Sequence, residues 1–415
     1  MKDHYDELET RAPAQREQEL LAALPKQVAH AQAKTSAFAE ILHGVDASGV
    51  TSRAALAKLP VTRKSELHER QKAGRPQHTF GGFSGIGKGP RMRRIYASPG
   101  PIYEPEGVAA DYWRVARAFY AAGFREGDFV HNAFSYHMTP GAFIMESGLF
   151  ALGCTVFPAG TGQTEQQLQA IADLRPTGYA GTPSFLRILV EKAKEAGADI
   201  STIRKAMTGG EALPPSLRDW FGEQGIAVYQ SYATADLGLI AYETASREGM
   251  VVDEGVIVEI VRPGTGDPVA EGEVGEVVVT TLNPDYPLIR FGTGDLSAVL
   301  PGACPTGRTN MRIKGWLGRA DQTTKIRGMF VHPGQVADIA RRFPEVVKAR
   351  LVVSGEMAND VMTLKVETRG AASGLPEKIG EAIRDVTKLR GDVVLVEPGT
   401  LPNDGKVIED ARSYK

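Results

Sequence analysis

The chain is poor in cysteine. Cys154 and Cys304 are the only two in 415 residues, far too few for a disulfide framework, so a reducing compartment is the simplest home. A surplus of charge is also missing. Its 48 basic and 50 acidic residues give a formal net charge of −2, which leaves no argument for nucleic acid or an anionic membrane as partner. The opening run MKDHYDELETRAPAQREQEL is strongly polar and contains no signal-peptide core. The longest apolar stretch, Gly141 to Gly160, is interrupted by Glu146, Ser147 and Pro158. A buried helix followed by a buried strand fits it better than a membrane span. The expectation is therefore a cytoplasmic protein that binds neither membrane nor nucleic acid.

What is present is ordinary globular composition, 42% hydrophobic and 24% charged, in a chain long enough for two or more domains. Residues 12–44 read as helix, with Leu20, Leu21, Leu24 and Val28 at helical spacing and Pro25 opening a second segment. From DFVHNAFSY to IAVYQSYA, strands alternate with helices, which predicts a parallel sheet in an α/β domain. Thr164 and Gln167 have the spacing of a capping box. Beyond residue 250, VIVEIVRPGTGDPVAEGEVGEVVVTTL is β-branched and alternating and predicts antiparallel hairpins. The last stretch, from Asp321, mixes short strands with two helices and suits a small α+β domain. The division expected is 1–320 and 321–415.

Five clusters stand at places where chemistry is done. Thr208-Gly209-Gly210-Glu211 follows a strand, where glycines let backbone approach a ligand closely. Tyr232-Ala233-Thr234-Ala235-Asp236 ends the next strand, with an aromatic face for a base and an acid for magnesium beside phosphates. Arg290-Phe291-Gly292-Thr293-Gly294-Asp295 sets an acid on a Gly-Thr-Gly turn, suited to accept two ribose hydroxyls. Gly318-Arg319-Ala320-Asp321 with Lys325-Ile326-Arg327-Gly328 falls at the compositional boundary. Leu401-Pro402-Asn403-Asp404-Gly405-Lys406-Val407 carries a lysine on a glycine turn. Taken singly, each has an ordinary alternative: a strand-to-helix turn, a core tyrosine with a helix cap, a solvated acid, a charged linker, a surface lysine.

In this order and spacing the five resemble the adenylate-forming superfamily. LGCTVFPAGTGQTEQQLQAIADLRPTGYAGTPSFL, PLIRFGTGDLS, GRADQTTKIRGMFVHPGQV and the lead-in GVTSRAALAKLPVTRKSEL resemble its phenylacetate–CoA ligase branch over nearly the whole chain. The resemblance implies a large N-terminal domain with mostly parallel sheets flanked by helices plus a β-rich subdomain, and a small mobile α+β domain. It implies an acid–CoA ligase that joins a carboxylic acid to AMP from ATP and then passes the acyl group to coenzyme A, with Mg2+. Ser98, Gly100, Gly210, Glu211, Tyr232, Asp295 and Arg319 would bind nucleotide, with Asp236 near the metal. Tyr136, His137 and Ala233 would lie by the acyl pocket. Asp321 would be the hinge, Gly328 would face coenzyme A, and Lys406 would be the catalytic cation of adenylation. Relatives often form dimers. A non-catalytic nucleotide- or acyl-CoA-binding homologue, or an enzyme with another acyl acceptor, are the competing readings.

The phosphate loop departs from the family pattern, a Ser/Thr/Gly-rich run ending in Gly-Lys-Pro. Here the aligned run is Ala97-Ser98-Pro99-Gly100-Pro101-Ile102-Tyr103-Glu104-Pro105-Glu106-Gly107. Its prolines withhold backbone N–H donors, the lysine is absent, and two glutamates are added. A carboxylate ~4–6 Å from a polyphosphate is repulsive by about 1 kcal/mol or more. Arg91-Met92-Arg93-Arg94 either restores the missing charge or is a solvated basic turn. Gly292 replaces a common arginine, and Thr306 stands where relatives often carry a second cysteine.

Overall fold

The computed structural model describes residues 3–99, 101–320, 322, 324–355, 359–370, 374–402 and 406–412. It divides into two compact units, one of Met1–Leu213 and Leu217–Gly318, the other of Pro214–Ser216 and Arg319–Lys415.

In the first unit the strands Thr155–Pro158, Phe129–Asn132, Gly178–Gly181, Lys205–Thr208 and Ala227–Thr234 lie side by side and parallel. The helices between them, such as Pro183–Ala196, follow from sequence signals. Thr182 caps that helix by accepting the Phe185 N–H, Pro183 opens it, and left-handed Gly197 stops it. The parallel strands continue into an antiparallel edge of Gly238–Tyr242, Met250–Val252, Arg312–Ile313 and Val299–Leu300. A second sheet runs in the order Thr62–Arg63, Phe291–Ser297, Gly275–Thr281, Val256–Val261. The first pair is parallel and the others antiparallel. Long β-branched strands suit this burial: Val256–Val261 and Gly275–Thr281 are buried throughout.

Two local expectations are corrected. The helix Pro13–Lys34 runs straight through Pro25. The proline costs one internal hydrogen bond, while Leu20, Leu24 and Val28 stay buried along one face. Thr164 is the first helical residue rather than the cap, because left-handed Gln163 takes that place. Gln167 turns instead to the Gly160 and Gly162 carbonyls at 3.0 and 2.7 Å, with His131 Nε2 at 2.7 Å.

In the second unit the strands Asp392–Val396, Val361–Thr368, Val346–Ser354 and Ile408–Asp410 form one sheet. Val336, Ile339, Ile379 and Ile383 from the helices Pro333–Arg341 and Leu375–Thr387 complete its core. Among the described residues no helix is long and apolar enough to cross a membrane.

Arg290 is one of the largest fully buried side chains. It holds Glu259 at 3.0 and 3.1 Å and donates to the carbonyls of Ala57, Leu59 and Gly266. Arg290→Ala would strand the Glu259 carboxylate in the interior. A loss of about 3–5 kcal/mol is expected in urea unfolding.

Candidate active site

The candidate loops of the first unit follow the carboxyl ends of parallel strands: Ala133–Met138, Gly209–Glu211 and Ala233–Asp236. This is where α/β sheets bind ligands. Gly210 is exposed with φ of +75°, a conformation that favours glycine. Glu211 is half-exposed, within electrostatic reach of buried Tyr179.

The structure brings Tyr232 and Asp295 together. The Tyr232 hydroxyl donates to Asp295 Oδ2 at 2.8 Å, and Trp316 Nε1 donates to Oδ1 at 3.1 Å. The carboxylate of Asp295 is thus oriented from both sides, with its backbone N–H held by Thr293 Oγ1 at 3.1 Å. Trp316 had no signal in the sequence, because its role comes only from this contact.

Gly292 has a physical reason. Arg63 is its register partner on the neighbouring strand, and the Arg63 guanidinium reaches Glu276 Oε1 at 2.5 Å. A Cβ on residue 292 would come within 2.8 Å of that carboxylate oxygen and 3.1 Å of the guanidinium. Glu276 also accepts the Gly294 N–H at 3.2 Å, and Asp295 lies within the strand Phe291–Ser297 rather than on the turn expected from sequence.

Asp236 is buried at the next turn. Lys64 Nζ, from the first residue of the helix Lys64–Gly74, lies 2.7 Å from its Oδ2. Its Oδ1 is buried and has no hydrogen-bond partner among the described residues. That orphan oxygen fits a magnesium ion of the kind held by one or two carboxylates plus substrate phosphates. Among the described residues no group of three or more His, Cys, Asp or Glu side chains is placed to hold a metal.

The run that sequence aligns with the family's phosphate loop is a hairpin of Met92–Ser98 and Ile102–Gly107; Gly100 lies outside the described residues. Both added glutamates are buried. Glu106 is neutralised by Arg94 at 3.0 Å and Arg93 at 3.6 Å, and accepts the Tyr96 hydroxyl at 2.6 Å. Arg91 pairs with Asp285, so the basic run is engaged with acids and Glu106 is not a bare charge in the site. Glu104 differs. Its carboxyl takes both the hydroxyl and the N–H of Ser98, at 2.5 and 3.3 Å. Burial first, then the neighbouring Asp236 charge, push it up to about 8, against the opposing pull of Lys64.

The residues expected by the acyl pocket differ in character. Tyr136 donates to Glu146 at 2.8 Å, accepts from Asn132 at 2.9 Å and packs edge-on against Phe143. His137 is exposed, and Ala233 is half-buried. The Ala97 N–H donates to the Met138 carbonyl at 2.8 Å, which ties the phosphate hairpin to this turn.

The second unit carries Arg319, half-exposed, and Gly328, at the tip of the hairpin Thr324–Ile326 and Met329–Val331 with φ of +83°. Lys406 is exposed. Its neighbour Val407 donates its N–H to Gln322 at 2.8 Å, and Leu401 donates to Glu367 at 2.7 Å. Asp321 lies outside the described residues.

Residues 108–283 match the family model of the AMP-binding enzymes. The chain is 32% identical to the phenylacetate–coenzyme A ligase of Thermus thermophilus, covering 86% of this chain and 87% of that one. It is 30% identical to the Escherichia coli phenylacetate–coenzyme A ligase, covering 85% and 84%. In fold it is similar to 2-hydroxyisobutyryl-CoA ligase solved with 2-HIB-AMP and CoA, with a TM-score of 0.85 at 24% identity over 100% of this chain and 93% of that one.

Two outcomes are expected. Gly292→Arg forces a side chain into the Arg63–Glu276 pair and lowers stability by about 1–3 kcal/mol in urea unfolding; Gly292→Ala does the same by less. Glu104 keeps its proton in the folded state and loses it in the unfolded chain above its ordinary value of 4.5. Its burial therefore costs stability increasingly as pH rises from about 4.5 towards about 8. Glu104→Gln removes that cost, so its thermal midpoint should exceed that of the native protein at about pH 8 and converge with it near pH 5.

Proposed function

The chain belongs to the phenylacetate–coenzyme A ligase family, and from that premise we propose that it is an AMP-forming acid–thiol ligase acting on an aryl carboxylic acid. The observation that carries this reading is the Tyr232–Asp295–Trp316 cluster. An aromatic ring and a carboxylate oriented from both sides suit a base and a ribose.

The reaction has two halves. The acid's carboxylate oxygen attacks the α-phosphorus of ATP, the bond to the β-phosphate oxygen breaks, and pyrophosphate leaves. The thiol sulfur of coenzyme A, losing its proton, then attacks the acyl carbonyl, and AMP leaves with the electron pair. A carboxylate is a weak nucleophile, so catalysis consists of positioning and of neutralising negative charge. Asp295 receives the ribose hydroxyls, Tyr232 faces the adenine with Gly210 and Glu211 at its edge, and Arg319 adds a nucleotide contact. Ser98 and Gly100 lie in the phosphate loop. Asp236 would hold magnesium, which when bound neutralises phosphate charge. Tyr136, His137 and Ala233 border the acid.

In this reading the unit from Arg319 onward turns about Asp321 between the half-reactions. It brings Lys406 to the phosphates in the first and Gly328 to coenzyme A in the second. The proposed setting is the cytoplasm, acting on small molecules rather than nucleic acid, as a monomer or as a homodimer of the kind relatives often form. One observation favours a nucleotide-binding homologue instead: Glu104 already occupies the donors of Ser98.

Purified protein given ATP, magnesium, coenzyme A and a panel of aryl acids should release pyrophosphate and AMP only with the right acid. Lys406→Ala should cut the adenylation rate by about a hundredfold or more, while AMP still binds. AMP binding without acid-dependent pyrophosphate release across the panel would favour the homologue that binds but does not react.

A further inference from the structure

The hairpin that should cradle phosphate is already engaged with groups of the protein itself. Pro99, Pro101 and Pro105 have no N–H to offer. The Ala97 N–H goes to the Met138 carbonyl at 2.8 Å, and the Tyr103 N–H goes to Gln71 Oε1 at 2.8 Å. Ser98, a residue shared with the family pattern, gives its hydroxyl and its N–H to one carboxyl group, that of Glu104. Glu104 is 1% exposed. The run of arginines beside the loop pairs with Glu106 and Asp285. An oxygen-bearing group that accepts from a hydroxyl and a backbone N–H does what a phosphate does in such a loop.

We propose that Glu104 is a built-in substitute for phosphate that fills the Ser98 donors, so that the site selects a nucleoside monophosphate or its acyl anhydride over the triphosphate. The inference rests on the nucleotide-site reading above and adds a specificity to it. The β- and γ-phosphates of ATP must displace Glu104 from Ser98 before the loop can hold them. AMP and an acyl-adenylate make no such demand, since they engage the Asp295 and Tyr232 side of the site. The glutamate thus weakens ATP binding selectively and biases the protein towards holding the adenylate.

The test is the affinity of the full chain for ATP and for AMP, each with magnesium, measured by calorimetry for the native protein, Glu104→Ala and Glu104→Gln. Glu104→Ala vacates the Ser98 donors and should tighten ATP by about tenfold, with AMP affinity within about twofold of native. Glu104→Gln keeps one of the two oxygens that Ser98 uses and replaces the other with an amide nitrogen, and should tighten ATP in the same direction by less. A merely structural glutamate would move both nucleotides alike. An unchanged ATP-to-AMP ratio in the variants that fold, with AMP still bound, overturns the inference alone. Binding of neither nucleotide by the native protein or the variants overturns the nucleotide-site reading and this inference with it.

Discussion

Two buried carboxylates at the heart of the first unit, Glu276 and Asp236, are neutralised by two consecutive cations, Arg63 and Lys64. A buried acid without a partner is costly, and breaking such a pair by removing one member loses about 3–5 kcal/mol; partial exposure of both cations reduces that figure here. The junction does more than balance charge. Thr62–Arg63 pairs with Phe291–Ser297 in the second sheet, while Lys64 reaches the turn that ends a strand of the first. One short stretch of chain therefore fixes the positions of both sheets' strand ends. Gly292, which has no side chain, and Asp295, next to the Gly294 N–H that Glu276 holds, both adjoin this junction.

The chemistry of the site is uneven for the same reason. Where the proposal puts ribose, the Asp295 carboxylate is held between a phenol and an indole. Where it puts phosphate, the first unit offers the buried acids Glu104 and Glu106, the second already paired with arginines. The lysine expected to act on phosphate belongs to the second unit, where Gln322 and Glu367 secure the backbone on either side of Lys406. A loop poor in donors is compatible with an enzyme that holds an adenylate firmly and admits a triphosphate reluctantly.

Much of this was legible from residue order. Alternation of strand and helix predicts the parallel sheet, and the helix Pro183–Ala196 was bounded by its own proline and glycine. The strand-end clusters were visible because short motifs carry them. Lys64 and Asp236 are 172 residues apart and Arg63 and Glu276 are 213 apart, so neither pair leaves a local pattern. Trp316 was silent for the same reason. Thr164 misled because a capping spacing is a local signal, and the left-handed turn at Gln163 won over it. Glu106 read as a repulsive charge until its arginines were placed beside it. Burial with a partner reverses the meaning of an acid, and sequence does not show the partner.

If an acyl-adenylate lies on the reaction path, an oxygen of the acid must end in AMP, and isotope transfer shows it. A substrate acid labelled with oxygen-18 in its carboxylate would be turned over with ATP and coenzyme A, and the products weighed by mass spectrometry. AMP should gain one labelled oxygen per turnover while pyrophosphate stays unlabelled. Label appearing in pyrophosphate or inorganic phosphate, or thioester formed with unlabelled AMP, would contradict it.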